Sequence, residues 1–454
     1  MIKNLSEGKP AKVLFLFTLP MLLGNLFQQL YNISDSIIVG RFVGKDALGA
    51  VGATFGIIFL LIGIAIGASL GSSVIISQAF GAGNMSKVRS GMTTALISVT
   101  LLGIIVMILG FIFIGPLLSL MNMPEHNYDL AYNYMIIILV GCPFMYLYNC
   151  LNAIFNALGD SKTPLKFLIL STFVNIGLDI LFVIHFKMKT NGVGYATVIA
   201  QGLAAIGLFA YFINRIRRLN FGTGYKLFDF KIFKAMSRVA VPSIIQQSIV
   251  ACGIMAVQGL VNSYGDDLMA GYASATKVDS IAVMPMLNIS TALSTYTAQN
   301  LGANKLERIK QGHFAAIKLI LFFAIITSLV VAFFGEAFVS IFMDSEEGPK
   351  AIELGTEYLK VVSMFYFLMG IMFAANGVLR GIGYMKIFML TTIVNLSCRI
   401  YFAYALNSLL DYKSIFWALP ISWLVGSLIS NIYLATGRWR RAGKTMSQAP
   451  DNPK

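Results

Sequence analysis

Apolar residues run almost unbroken for twenty or more positions at a dozen places along the chain, with short polar turns between them. The stretches cover roughly 13–40, 47–80, 91–121, 130–158, 164–186, 192–214, 235–263, 272–300, 312–343, 352–379, 386–408 and 414–436. The hydrocarbon core of a bilayer is about 30 Å thick and a helix needs ~20 apolar residues to cross it, so each stretch predicts one transmembrane helix. The runs are continuously apolar instead of alternating at period two, which argues against the strands of a β-barrel. The expected fold class is an all-α polytopic membrane protein of twelve transmembrane helices.

Composition sharpens this reading. Of 454 residues, 57% are hydrophobic and 12% charged, with a mean hydropathy of +0.76, whereas a soluble domain carries about 25% charged residues. Met1 to Lys12 is polar, and the apolar run from Val13 is too long for a signal-peptide core and lacks a small-residue cleavage site, so the first helix is expected to stay. Cys142, Cys150, Cys252 and Cys398 all fall inside predicted spans without metal-ligand spacing and read as small core residues, not a disulfide frame.

A net charge of +14 could suggest nucleic acid, but its distribution points to topology. Taking the loops alternately, one set holds twenty-four Lys and Arg residues, seven of them between Arg215 and Arg238, and the other holds only Arg41, Lys45, Lys187, Lys189, Lys350 and Lys413. This is the positive-inside bias. It predicts both termini in the cytoplasm, an even number of spans, a multi-pass protein of the cytoplasmic membrane, and no nucleic-acid partner.

The chain also repeats itself. Gln78-Ala-Phe-Gly81-Ala82, with Lys87, Arg89 and Gly91 after it, aligns with Gln299-Asn-Leu-Gly302-Ala303, Arg308, Lys310 and Gly312 at an offset of 221, and Gly44 and Asp46 fall on Gly265 and Asp267 at the same offset. Asn152, Gly159 and Lys162 match Asn376, Gly383 and Lys386 at an offset of 224, the extra residues fitting the Ser345–Pro349 loop. The predicted organisation is a six-helix lobe over 1–214, a basic linker over 215–238, a second six-helix lobe over 239–437 and a basic tail over 438–454. Six is even, so the halves run parallel, an arrangement that in membranes places a transport path between lobes.

Enzyme motifs fail on context. Gly67-Ala-Ser69-Leu-Gly71 spells a nucleophile elbow but lies within an apolar helix, where small residues serve close helix packing. The Gly40–Lys45 segment resembles a phosphate-binding loop with one residue missing and Asp46 in place of Ser or Thr. The three histidines form no metal-binding pair. The chain is therefore read as a transporter and not an enzyme, without a cofactor, driven by an ion gradient.

Candidate chemistry sits at the few polar residues inside spans. An ionised side chain at the bilayer centre costs about 2.5–3.5 kcal/mol on the lenient insertion scale, so each should have a use. Of the twenty acidic residues, Asp35, Asp179 and Asp279 lie clearly within apolar helices. Asn175 precedes Asp179 by four and shares its helix face, and Thr197 reaches a similar height on the next helix. A group of Asp, Asn and Thr oxygens suits a hard cation such as Na⁺, or a relayed proton; the competing reading is that each Asp bonds to a neighbouring helix.

At this point the residues resemble a known family. Leu19-Pro20 with Asp35, the Gln78-x-x-Gly-Ala loop, Asn152 to Gly159-Asp160-x-Lys-x-Pro164, Asn175-x-x-x-Asp179 and Arg380-Gly-x-Gly383 are together similar to the multidrug and toxic compound extrusion transporters, over nearly the whole chain. The resemblance implies two six-helix lobes forming a V and export of compounds in exchange for Na⁺ or H⁺. It is closer to the DinF-like branch, whose N-lobe cation site falls on Asp35, Asn175, Asp179 and Thr197, with Asn149 and Asn152 nearby. The NorM-like branch has acids in helices seven and ten, where this chain offers Gln246, Gln247 and Asn376, leaving Asp279 as the C-lobe acid.

For the cargo, 22 Met and 34 Phe could line an adaptable cavity, and the family with its carboxylates implies small amphiphilic organic cations carried by a monomer in the lipid bilayer. Asn149, Asn152, Gln246, Gln247, Asp279 and Asn376 are the cavity candidates. The alternative is a flippase of the same superfamily for an anionic lipid-linked sugar, for which mid-helix Arg399 is a candidate contact.

Overall fold

The computed structural model describes residues 4–121, 125–217, 224–343 and 348–440; residues 218–223 of the basic linker, most of the Ser345–Pro349 loop and the tail from 441 lie outside them. Every regular element among the described residues is helical. In chain order these are α1 (Pro10–Ile38), α2 (Lys45–Gly81), α3 (Met85–Leu120), α4 (Glu125–Ala157), α5 (Lys162–Asp179), α6 (Lys189–Arg217), α7 (Phe230–Asn262), α8 (Asp266–Ala282), α9 (Met284–Gly302), α10 (Leu306–Ile341), α11 (Pro349–Ser363), α12 (Tyr366–Ile382), α13 (Met385–Ala405), the single turn α14 (Asn407–Leu410) and α15 (Lys413–Ala435). Ten helices among the described residues are long and apolar enough to cross a membrane, and the pair α11–α12, bent by 53°, is long and apolar enough when taken together. The chain is a multi-pass, all-α membrane protein.

The stretch expected as one helix over 272–300 is instead the pair α8 and α9, parted at Val283. Pro285 sits in the first turn of α9, where its missing N–H costs nothing. This pair is also the most polar: Asn288, Ser290, Ser294, Thr295, Thr297, Gln299 and Asn300 of α9 are all buried. They are covered closely because α12 presents glycines. A Cβ on Gly377 would lie 2.6 Å from the Ser290 carbonyl oxygen, and one on Gly381 2.4 Å from that of Ser294. Small residues likewise bring α2 against the first half of α7: a Cβ on Gly67 would meet Ile244 at 2.8 Å, and one on Gly71 the Met236 carbonyl oxygen at 2.5 Å. The Gly67-x-Ser69-x-Gly71 run is thus a packing surface.

The chain divides into two compact units, one of Leu19–Gln247, the other of Leu5–Thr18 with Ser248 onward. The divisions fall inside α1 and α7, so each of these helices gives its first half to the other repeat's unit. The segments leading into them are stitched in the same way. In the second unit, Leu5 N–H donates to Gln299 Oε1 (2.8 Å), Lys305 Nζ to the Ser6 carbonyl (3.0 Å) and Arg308 Nη2 to the Gly8 carbonyl (2.9 Å). In the first, Lys226 N–H donates to Ser90 Oγ (2.9 Å) and Asp229 N–H to Thr94 Oγ1 (3.0 Å). The repeat also shows in the backbone: Gly44 and Gly265, and Gly159 and Gly383, hold positive φ at the turns where the sequence aligns them, a conformation that favours glycine.

Within the first unit the core is built on α2, α3 and α4, with Ile76, Met92, Ile114, Leu118, Tyr146 and Phe155 fully buried or nearly so. Cys142 and Cys150 belong to it; Cys252, expected in a core, is exposed, and Cys398 is half-buried.

Candidate functional site

Two helices of the first unit lose α geometry beside an acidic residue. α1 passes into a π-helical turn at Val39–Val43, one turn beyond Asp35, and α5 into another at Ile180–His185, directly after Asp179. A π turn widens the helix by one residue and is frequent at functional sites. Ile38, Val39, Val183 and Val193 form a small buried cluster that locks the two widened ends and the start of α6 together. This apolar clamp brings Asp35 and Asp179 to one place.

Around them the structure gathers all four residues that the sequence singles out for a cation. Asp35 is flanked by Asp179, Thr197 and Asn175. Thr197 Oγ1 lies 3.5 Å from Asp35 Oδ2, a long, weak donation. Asn175 and Asp179 are fully buried, and Thr197 nearly so. Asp179 and Asn175 both come within weak hydrogen-bonding reach of Asp35, yet no well-formed bond among the described residues satisfies Asp35 Oδ1, either Asp179 oxygen or either polar atom of the buried Asn175 amide. Buried polar groups are otherwise almost always paired, and an unpaired buried carboxylate costs far more than an unpaired hydroxyl. Such a set can hold a hard cation, with up to six oxygens drawn from two carboxylates, an amide and a hydroxyl, or it can take up a proton.

Two tyrosines complete the surroundings. Tyr31 precedes Asp35 by one helical turn and Tyr134 projects from α4; both are buried and within electrostatic reach of the two aspartates. The Tyr31 hydroxyl approaches Thr197 but makes no well-formed hydrogen bond among the described residues. Its i, i+4 spacing from Asp35 is a signal the sequence carries; nothing local marks Tyr134.

The cavity candidates do not gather at this cluster. Asn149 donates to the Met145 carbonyl of its own helix (2.9 Å), and Asn152 Oδ1 accepts from Asn156 (3.0 Å). They lie fifteen and eighteen residues along α4 from Tyr134, roughly 22 and 27 Å. Gln246 is half-buried on α7, and Gln247 packs its stem near Gly63, whose added Cβ would lie 3.2 Å from it. In the second unit, Asn376 is buried with its Oδ1 unpartnered. Asp279 Oδ1 accepts from the Tyr366 hydroxyl at 2.7 Å, and Arg399 acts on it electrostatically. Asp160 of the Gly159-Asp160 motif accepts from both the N–H (3.2 Å) and the hydroxyl (2.9 Å) of Thr163, holding the start of α5.

A family model described as MatE matches residues 20–181 and 242–405, one block in each repeat. The chain is 29% identical over 447 residues to a probable multidrug resistance protein, YpnP, of Bacillus subtilis, covering 96% of this chain and 97% of that one. It is 31% identical over 373 residues to a second, YoeA, of the same organism, covering 80% of each. Among solved structures, a MOP superfamily transporter from Pyrococcus furiosus superimposes with a TM-score of 0.90 at 22% identity, over 97% of this chain and 98% of that one.

Proposed function

The chain belongs to the multidrug and toxic compound extrusion family, whose members are membrane transporters and not enzymes, and on that premise we propose that it exports small amphiphilic organic cations in exchange for Na⁺ or H⁺ by alternating access. The ion enters at Asp35, Asn175, Asp179 and Thr197, and its binding and release bias the conformations that open to either side. The observation that carries this reading is the set of orphaned oxygens on Asp35, Asp179 and Asn175. A proton needs a single carboxylate, whereas a bare metal cation must replace several lost water oxygens; the neutral Asn175 and Thr197 donors therefore favour Na⁺.

The charge bias of the loops supports a chain in the cytoplasmic membrane with both termini inside. A cysteine introduced at Lys9, in a background lacking the native thiols, should resist an external impermeant maleimide, and one at Lys187 should react; labelling of Lys9 from outside would reverse the topology. The test of function is efflux from proteoliposomes of a panel of organic cations, with Na⁺ and H⁺ gradients imposed separately. Stimulation by one gradient is expected. Equal leakage from loaded and empty vesicles under both would remove the proposal.

A further inference from the structure

The second unit contains a charged constellation that ion coupling does not use. Tyr272 and Asp279 lie seven residues apart on α8, hence on one face and about 10 Å apart along it. At the Tyr272 end, Arg399 of α13 donates from Nη2 to the tyrosine hydroxyl at 3.3 Å. At the Asp279 end, Tyr366 of α12 donates to the carboxylate at 2.7 Å. Tyr358 of α11 packs its ring edge-on against Tyr272 (centroids 5.2 Å) and against Phe416 (5.4 Å), and Trp423 of α15 lies 6.4 Å from the Tyr366 ring. Five helices of the unit thus contribute to one aromatic enclosure around a single arginine and a single aspartate.

Arg399 is under-used in it. A guanidinium offers five N–H donors in a planar fork suited to a carboxylate or phosphate. Here one of them meets a neutral hydroxyl, and Nε is buried with no partner among the described residues. Arg399 lies six residues from the end of α13, about 9 Å into the helix, where its charge is met at a distance by Asp279 but its hydrogen-bonding fork is left largely unfilled. The side chain is only half-buried, so a ligand can reach it.

We propose that Arg399, bonded to Tyr272 next to the Tyr358 ring, binds the oxyanion of an organic ligand, a carboxylate or a phosphate monoester, in the second unit of the transporter. Asp279 stands beside this site as a negative charge that the ligand must tolerate; it weakens the site and disfavours dianions. The inference rests on the reading that the chain carries small organic cargo and adds an anionic group to the cargo it accepts. It does not involve the Asp35 cluster.

The experiment is equilibrium binding to the whole protein in nanodiscs, without any ion gradient, followed by the intrinsic fluorescence of Trp423 in a Trp417→Phe, Trp439→Phe background. Benzoate and phenyl phosphate separate the two oxyanion sources, and benzylamine is the cationic control. Saturable binding of at least one oxyanion is expected. Arg399→Gln should weaken it by about tenfold or more and Arg399→Lys, which keeps charge but loses the fork, by roughly three- to tenfold. Asp279→Asn should tighten it by a few-fold. Should Arg399→Gln fail to fold, the Lys and Asn variants carry the test. No saturation with either oxyanion, unchanged affinity in Arg399→Lys or Arg399→Gln, or tighter binding of benzylamine than of both oxyanions would overturn the proposal. Because binding is measured without any ion gradient or transport, a failure of coupling and a failure of this site are read separately.

Discussion

The acidic centres of the two units differ in how their charge is met. In the first, Asp35 and Asp179 approach each other, and the groups acting on Asp35 are Asp179, Thr197 and Asn175, none of them cationic. In the second, Asp279 has a tyrosine donor at 2.7 Å and an arginine within electrostatic reach. A carboxylate pair without a counter-charge is costly until something positive enters. A carboxylate with a donor and a cation beside it is already answered by the protein. The two repeats therefore share backbone features at their aligned turns but differ in their acidic centres, and on the proposed function it is the first that takes the ion.

The largest expected effect tests that asymmetry directly. Asp35→Asn should reduce gradient-driven efflux to the level of empty liposomes while leaving expression and detergent stability near wild type, because an amide keeps the shape but cannot exchange charge. Asp279→Asn should leave the dependence on ion concentration unchanged, whatever it does to cargo affinity. Full efflux in the Asp35 variant, or a shifted ion dependence in the Asp279 variant, would break the comparison.

A smaller effect sharpens it. Asn175→Leu and Thr197→Val each remove one neutral donor, worth about 0.5–1.5 kcal/mol, which corresponds to a roughly two- to tenfold rise in the Na⁺ concentration giving half-maximal efflux. With Na⁺ absent and pH varied instead, both variants should respond as wild type does. Identical Na⁺ curves in all three proteins would reduce the cluster to a proton relay between Asp35 and Asp179.

The difference between the centres was only half legible in the sequence. Apolar runs fix where helices lie, because each must be long enough to cross the bilayer, and the i, i+4 pair Asn175 and Asp179 follows from helical spacing alone. Thr197 was placed beside them by its height on the next helix, whereas that Asp35 joins them came from family resemblance, since contacts 140 or more residues apart leave no local trace. The break at Val283 had a signal in Pro285 that the continuous hydropathy concealed, and the bend between α11 and α12 had none. The π turns after Asp35 and Asp179 arise from tertiary clamping of Ile38, Val39, Val183 and Val193, which no periodicity reports. Tyr366 meets Asp279 across 87 residues and could not be paired with it by spacing.

The smallest effect compares two tyrosines in equivalent surroundings but opposite states. Tyr366 donates to Asp279 at 2.7 Å, whereas the Tyr31 hydroxyl, one turn from Asp35, is buried with only a weak approach to Thr197 and no well-formed bond among the described residues. Removing a donor that satisfies a buried carboxylate leaves that oxygen exposed to its full desolvation cost, so Tyr366→Phe should destabilise the protein by about 1–3 kcal/mol. Removing a hydroxyl whose one approach, to Thr197, falls short of a well-formed bond forfeits little. Tyr31→Phe should therefore stay within ~0.5 kcal/mol of wild type or be slightly stabilising. Thermal unfolding in detergent, with Na⁺ absent so that the ion cannot mask the first unit, ranks the two. Equal destabilisation by both substitutions would mean that the two acidic centres are satisfied alike, and the contrast on which ion coupling by the first unit rests would fall.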